Sequence, residues 1–218
     1  DALAHVIRCF ENENVTHVNQ LINPVSDIDI INTELLLADL ESVIKRIDNY
    51  RKKSKENEVK LISIDFLEKA KSLLEEGIHV RNGSFTDEEL VMKKYSQLLT
   101  SKPMLFICNV DEDSVVSGNQ FSKLVEEAAN SLDSKTINIS VSIEQELSEL
   151  TDEEELKSFL NEMGMNATGL DKVIKQGYEL LDLCTYFTAG PKETKAWTIS
   201  RNTLAPEAAG KIHTDFQR

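Results

Sequence analysis

Apolar positions along this chain change their spacing several times, and each change predicts a different element. The run His5-Val6-Ile7-Arg8-Cys9-Phe10 is compact and closed by the polar Glu11-Asn12-Glu13-Asn14, the pattern of a buried strand. After the turn signal Asn23-Pro24, Ile30, Leu37, Leu40, Ile44 and Ile47 recur at spacings of 7, 3, 4 and 3. That spacing predicts the seam of a long amphipathic helix running to about Lys53, with Asp27 as N-cap. A charged break from Lys52 to Glu58 precedes a second helical run, in which Ile62, Phe66, Ala70 and Leu73 share a face and Gly77 supplies the C-cap. Two such helices joined by a charged turn predict an antiparallel hairpin.

Further on, Thr86 with Glu89 three residues later is a capping box, opening a helix to about Leu99. Met104-Leu105-Phe106-Ile107-Cys108 is a continuous apolar run, which suits a strand covered on both faces in a parallel sheet. A helix from Asn119 to Ser131 and an alternating strand from Ile137 to Val141 complete a βαβ unit, so the fold class is α/β. Helices are expected over Asp152–Met163 and Gly169–Leu181. From Cys184 the chain turns β-prone, with strands over Cys184–Phe187 and Ala196–Ile199 about a turn at Gly190-Pro191.

Composition sharpens this picture mainly by exclusion. A chain of 218 residues, 40% hydrophobic and 28% charged, can bury a core in one or two domains. Its net charge of −14 argues against a surface that grips nucleic acid throughout, so no DNA partner is expected and any RNA contact must be local. The basic side of the hairpin, Lys45, Arg46, Arg51, Lys52, Lys53 and Lys55, is the candidate for such a contact. Cys9, Cys108 and Cys184 form no C-x-x-C pair and read as reduced thiols of a cytoplasmic protein. No apolar run reaches the length needed to span a bilayer, so no membrane partner is expected. His5, His17, His79 and His213 are scattered without metal-ligand spacing, and no metal site is assigned. His213-Thr214-Asp215-Phe216 is expected on an exposed loop. No G-x-x-x-x-G-K-[ST] loop occurs, although that pattern is what cradles phosphate.

The informative chemistry lies where the buried strand ends, at Asn109-Val110-Asp111-Glu112. Open α/β sheets bind ligands at the carboxyl ends of their strands. GTP-binding proteins carry N-K-x-D there, its aspartate accepting from guanine N1-H and the exocyclic amine. Adenine offers no such pair of donors, and here Val110 and Glu112 stand in place of the lysine and aspartate. A second loop, Ser140-Val141-Ser142, follows the next strand at the position of a base-cradling turn, with Ser142 also suited to cap the following helix. Asn109, Val110, Glu112, Ser140, Val141 and Ser142 are therefore the candidate base-binding residues.

The chain resembles the YchF/Obg-like family of P-loop NTPases in four places. These are D-A-L-A-H-V-I-R-C-F-E-N from Asp1 to Asn12, D-I-D-I-I-N-T-E-L-L-L-A-D from Asp27 to Asp39, Thr188 to Glu193 with Ala196-Trp197-Thr198, and Ala208 to Phe216. The resemblance implies a partial Ras-like nucleotide-binding domain (1–26 and 97–181), an inserted helical hairpin domain (27–96) and the start of a β-grasp TGS domain (182–218). It further implies a ribosome-associated switch protein that binds and hydrolyses ATP in preference to GTP, with ATP and the ribosome or ribosomal RNA as partners. On the same resemblance, the phosphate loop, Mg²⁺ ligands and hydrolysis residues would lie before the counterpart of Asp1, and the TGS domain would continue past Arg218. No catalytic residue is then expected in this sequence. The alternative is a non-enzymatic RNA- or ribosome-binding module built from the hairpin and the TGS part.

Overall fold

A computed structural model describes residues 1–11, 22–52 and 62–217. The expected turn cations Lys53 and Lys55, and the charged stretch 53–58, lie outside the described residues. The chain divides into two compact units, one over Leu3–Ile143 and one over Glu144–Arg218.

In the first unit, β1 (Leu3–Cys9) leads to α1 (Pro24–Lys52), α2 (Ile64–Glu75) and α3 (Asp87–Ser96). Then come β2 (Met104–Val110), α4 (Gln120–Ser131) and β3 (Lys135–Ile139), and α5 (Val141–Glu149) crosses the division between units. The three strands form one parallel sheet in the order β1-β2-β3. Met104 to Cys108 and Val110 are all buried, as expected for a central strand with both faces covered. β3 begins and ends two residues before the expected Ile137–Val141 span, because Val141 already belongs to α5.

Helices α1 and α2 pack Val43 and Ile47 against Phe66, Leu67, Ala70 and Leu74, and Val80 and Leu98 close the cluster. Phe66 and Leu67 are fully buried; filling such a site contributes about 2–3 kcal/mol per side chain. The face of α1 differs from the expected seam. Ile30, Leu37 and Ile44 are 54%, 57% and 38% exposed, whereas Ile28, Asp39, Val43 and Ile47 are buried. Aliphatic residues occupy several sides of this helix, so periodicity alone did not select the side that meets α2. Asp27 lies within the helix; the N-cap is Asn23, whose side chain accepts from Ser26 N–H at 3.2 Å ahead of Pro24 at the first helical position. On α2, Leu67 and Leu74 are buried in place of the expected Ile62 and Leu73, and Ile62 precedes the helix. Gly77, at φ +74°, ends α2 as expected: its N–H and that of Ile78 return to the carbonyls of Leu74 and Leu73. The Thr86–Glu89 capping box opens α3, and Lys69 of α2 pairs with Glu89 at 2.7 Å. Three of the hairpin cations are engaged within the fold: Lys45 with Glu41, Arg51 with Glu68, and Arg46 with the Ser96 carbonyl.

Asp39 fixes this hairpin to the sheet. Its buried carboxylate accepts from Leu99 N–H (2.9 Å), Thr100 N–H (2.7 Å) and the Thr100 hydroxyl (2.6 Å) in the 3-10 turn that feeds β2. His79, also buried, sits with Nδ1 3.1 Å from the Arg81 guanidinium, which can only donate, so the ring is the neutral Nε2–H tautomer.

The second unit contains α6 (Glu153–Glu162), α7 (Gly169–Leu180), the antiparallel pair β4 (Leu183–Ala189) and β5 (Thr194–Ser200), and α8 (Ala205–Ile212). Asp152 caps α6, and the Glu144 carboxylate accepts from the first two amides of α7, Gly169 at 2.6 Å and Leu170 at 3.0 Å. The Tyr186 hydroxyl donates to the Ala208 carbonyl at 2.7 Å, tying the hairpin to α8. His213 to Phe216 are exposed, as expected, although they form a 3-10 turn after α8. Of the cysteines, Cys9 and Cys108 are buried free thiols and Cys184 is half-buried.

Two outcomes follow. Asp39→Ala leaves the buried amide and hydroxyl of Thr100 and the half-buried amide of Leu99 without an acceptor and should cost about 2–4 kcal/mol, read as a lowered urea midpoint. Burial, then the Arg81 charge, holds His79 down to about 4 from an ordinary 6.5. As pH falls below 6.5 the unfolded chain therefore takes up the proton first, and stability drops until the folded value near 4 is passed. Denaturation at a series of pH values should show a loss on the order of 1–3 kcal/mol across that window, flattened in His79→Gln.

Candidate base-binding site

Parallel pairing sets the geometry at the carboxyl end of β2. Asn109 lies between Arg8 of β1 and Ile139 of β3, and Val110 lies beside Cys9. The chain leaves the central strand at Asp111 and turns through a 3-10 segment, Glu112–Ser114. Phe10, Glu11, Asn109, Val110, Asp111, Glu112, Asp113, Val141 and Ser142 line an open cleft of about 560 Å³.

Five of the six expected residues therefore meet in one place. Asn109 joins the two loops directly, because its Oδ1 accepts from Val141 N–H at 3.2 Å. That amide is at the start of α5 and has no partner inside the helix, so Asn109 satisfies an orphan donor while fixing the wall of the cleft. Ser140 is buried and lies behind the wall, its hydroxyl 3.0 Å from that of Ser142. Ser142 lies inside the first turn of α5, not at its cap, because the helix already starts at Val141. Val110 is buried, and Glu112 is exposed at the cleft's edge.

Sequence reasoning missed Phe10, Glu11, Asp111 and Asp113. The strand ending at Phe10 was legible, but only the parallel register shows that its exit faces the exit of β2. Arg8 folds back here, its Nε donating to the Phe10 carbonyl at 3.1 Å and its guanidinium lying 4.9 Å from the Phe10 ring. Asp111 is held below the usual carboxylate range, chiefly by the Ser114 side chain and also by Asn119, against the opposing effect of burial. Among the described residues, four carboxylates and no cation line the cleft. Such a surface repels a triphosphate and favours hydrogen-bond donors. Among the described residues, no group of three His, Cys, Asp or Glu side chains could hold a metal ion, and the described helices include none long and apolar enough to cross a membrane.

Comparison with solved structures identifies this parallel sheet, with a cleft at the carboxyl end of its central strand, as a P-loop NTPase-related fold. The Schizosaccharomyces pombe YchF GTPase structure superposes with a TM-score of 0.81 at 31% identity, over 100% of this chain and 60% of that one. The ribosome-binding ATPases YchF of Bacillus subtilis and Escherichia coli O157:H7 are each 42% identical to this chain, and that of Haemophilus influenzae is 43% identical. In each case all of this chain is covered and 60% of the relative. The family described as YchF-GTPase_C, a protein of unknown function (DUF933), matches residues 183–218. This chain belongs to the YchF family and spans about 60% of the length of these relatives.

The contact between the loops can be tested without ligand. Asn109→Ala removes the acceptor for Val141 N–H, and amide exchange at Val141 should rise by roughly tenfold with a stability loss of about 1 kcal/mol. Unchanged protection at Val141 would show that another group holds the loop.

Proposed function

We propose that this chain carries the base-reading part of a ribosome-associated nucleotide hydrolase that prefers ATP to GTP. The observation that carries the reading is the junction of Asn109-Val110-Asp111-Glu112 with Ser140-Val141-Ser142, made by one hydrogen bond at the carboxyl end of a parallel sheet. Asn109 and the backbone at Val110 would face the adenine edge, Glu112 would set base preference by accepting from the 6-amino group, and Val141 and Ser142, backed by the buried Ser140, would close the pocket. The names of the relatives differ on this point, ATPase in the bacteria and GTPase in the yeast. Base preference is therefore the property to measure.

The domain reading behind this proposal is a nucleotide domain over 1–26 and 97–181, an inserted helical domain over 27–96 and a TGS part over 182–218. The described cleft does not fit a phosphate site, since its lining is acidic and no phosphate loop is present in the sequence, and among the described residues no group of three His, Cys, Asp or Glu side chains could hold a metal ion. No hydrolytic step is assigned to these residues. Ribosome binding and a cytoplasmic location are proposed from the names of the bacterial relatives. A second reading, a non-enzymatic ribosome- or RNA-binding module, draws support from Phe187, 71% exposed on β4, and from Lys195 stacked over Trp197 on β5.

The double substitution Val110→Lys with Glu112→Asp restores the guanine-reading residue types and should shift preference toward GTP by about 1–3 kcal/mol, measured by titrating both nucleotides. Tighter binding of GTP than ATP by the unaltered protein would reject the base assignment.

A further inference from the structure

Asn119 is the residue at which the two walls of the cleft are tied together. It lies 110 positions from Cys9 in sequence, yet its Nδ2 donates to the Cys9 carbonyl at 2.7 Å, where β1 ends and the Phe10–Glu11 wall begins. The same nitrogen donates to Asp111 Oδ2 at 3.2 Å, on the opposite wall. The other end of the amide is also fixed, because Oδ1 caps α4 by accepting from Phe121 N–H and Ser122 N–H, both at 3.0 Å. The approach to Asn119 is closely packed. Gly118 has φ +69°, and a side chain there would begin 2.7 Å from Ser122 Oγ and 3.0 Å from Asn138 Nδ2. One carboxamide therefore bridges the β1 exit and the β2 exit, and its cap bonds anchor it to the start of α4.

We propose that Asn119 is a positioning residue for base discrimination: without touching the nucleotide, it holds the Phe10–Glu11 and Asp111–Asp113 walls at the separation that admits a purine edge. The inference rests on the base-site reading above. An N-cap alone needs only an acceptor, and serine or aspartate serves that purpose about as well as asparagine. The two donor bonds to Cys9 and Asp111 go beyond capping and are what the proposal assigns to function.

The difference gives the test. Asn119→Asp keeps the cap acceptor and adds a charge favoured by the helix N-terminus. It cannot donate to the Cys9 carbonyl, and it sets a second carboxylate beside Asp111. Asn119→Ser keeps a neutral cap and is too short to bridge the walls. In the 218-residue chain, amide exchange at Phe121 and Ser122 should stay at the wild-type level in Asn119→Asp, while exchange at Glu11 and Asp111–Ser114 rises by roughly tenfold near pH 7. Adenosine, titrated by following the Val110 and Val141 amide shifts, should bind about fivefold more weakly, with its margin over guanosine reduced. Lowering the pH toward about 5 should restore much of the loss in Asn119→Asp only, because two facing carboxylates can share a proton and Asn119→Ser has no such pair. Loop exchange and adenosine affinity within about twofold of wild type would overturn the proposal. If Asn119→Asp does not fold, Asn119→Ser decides by the same two readouts. A wild-type chain whose Val110 and Val141 amides ignore adenosine would sink the base-site reading, and the ligand-free loop exchange would then decide the role of Asn119 alone.

Discussion

Burial of β2 on both faces is the constraint on which the first unit depends. A strand with covered faces and parallel neighbours on both edges cannot slip by one residue without exposing apolar side chains and breaking two ladders. Its register is therefore fixed, and so is the point at which Asn109 leaves the sheet. The same strand is held at its entrance by Asp39, which reaches from α1 to the turn at Leu99–Thr100. Entrance and exit of one strand thus connect the helical hairpin to the candidate site.

The electrostatics of the cleft follow from what ends there. Strand exits and helix starts converge, and most of the polar groups they bring are acceptors. Hydrogen bonds from Ser114 and Asn119 stabilise the Asp111 carboxylate, so one acid of the wall is already committed to structure. Glu112 is exposed at the edge, as are Glu11 and Asp113. This division separates a residue that shapes the wall from the one proposed to read a base, although the two are adjacent in the chain.

The β-rich end of the chain uses a different economy. β4 and β5 make only a two-stranded ladder, which is marginal alone, and side-chain bonds supplement it: Trp197 Nε1 to the Thr188 hydroxyl and Tyr186 to the carbonyl of Ala208. Phe187 alternates outward from these contacts and is exposed on the other face of the hairpin.

What the sequence alone determined is what depends on neighbours within a few positions. The capping box at Thr86–Glu89, the Gly77 helix stop and the continuous apolar strand from Met104 were all legible, because each is a local hydrogen-bond or burial requirement written in adjacent residues. The N-V-D-E and S-V-S turns were legible as a candidate site for the same reason. The buried side of α1 was not, because Ile30, Leu37 and Ile44 are as apolar as Val43 and Ile47, and only packing against α2 chooses between them. Nor was the bridge from Asn119 to Cys9 and Asp111. A carboxamide at a helix cap carries no mark of what its second nitrogen bond will reach, and parallel pairing of β1 with β2 is what brings the Cys9 carbonyl within range.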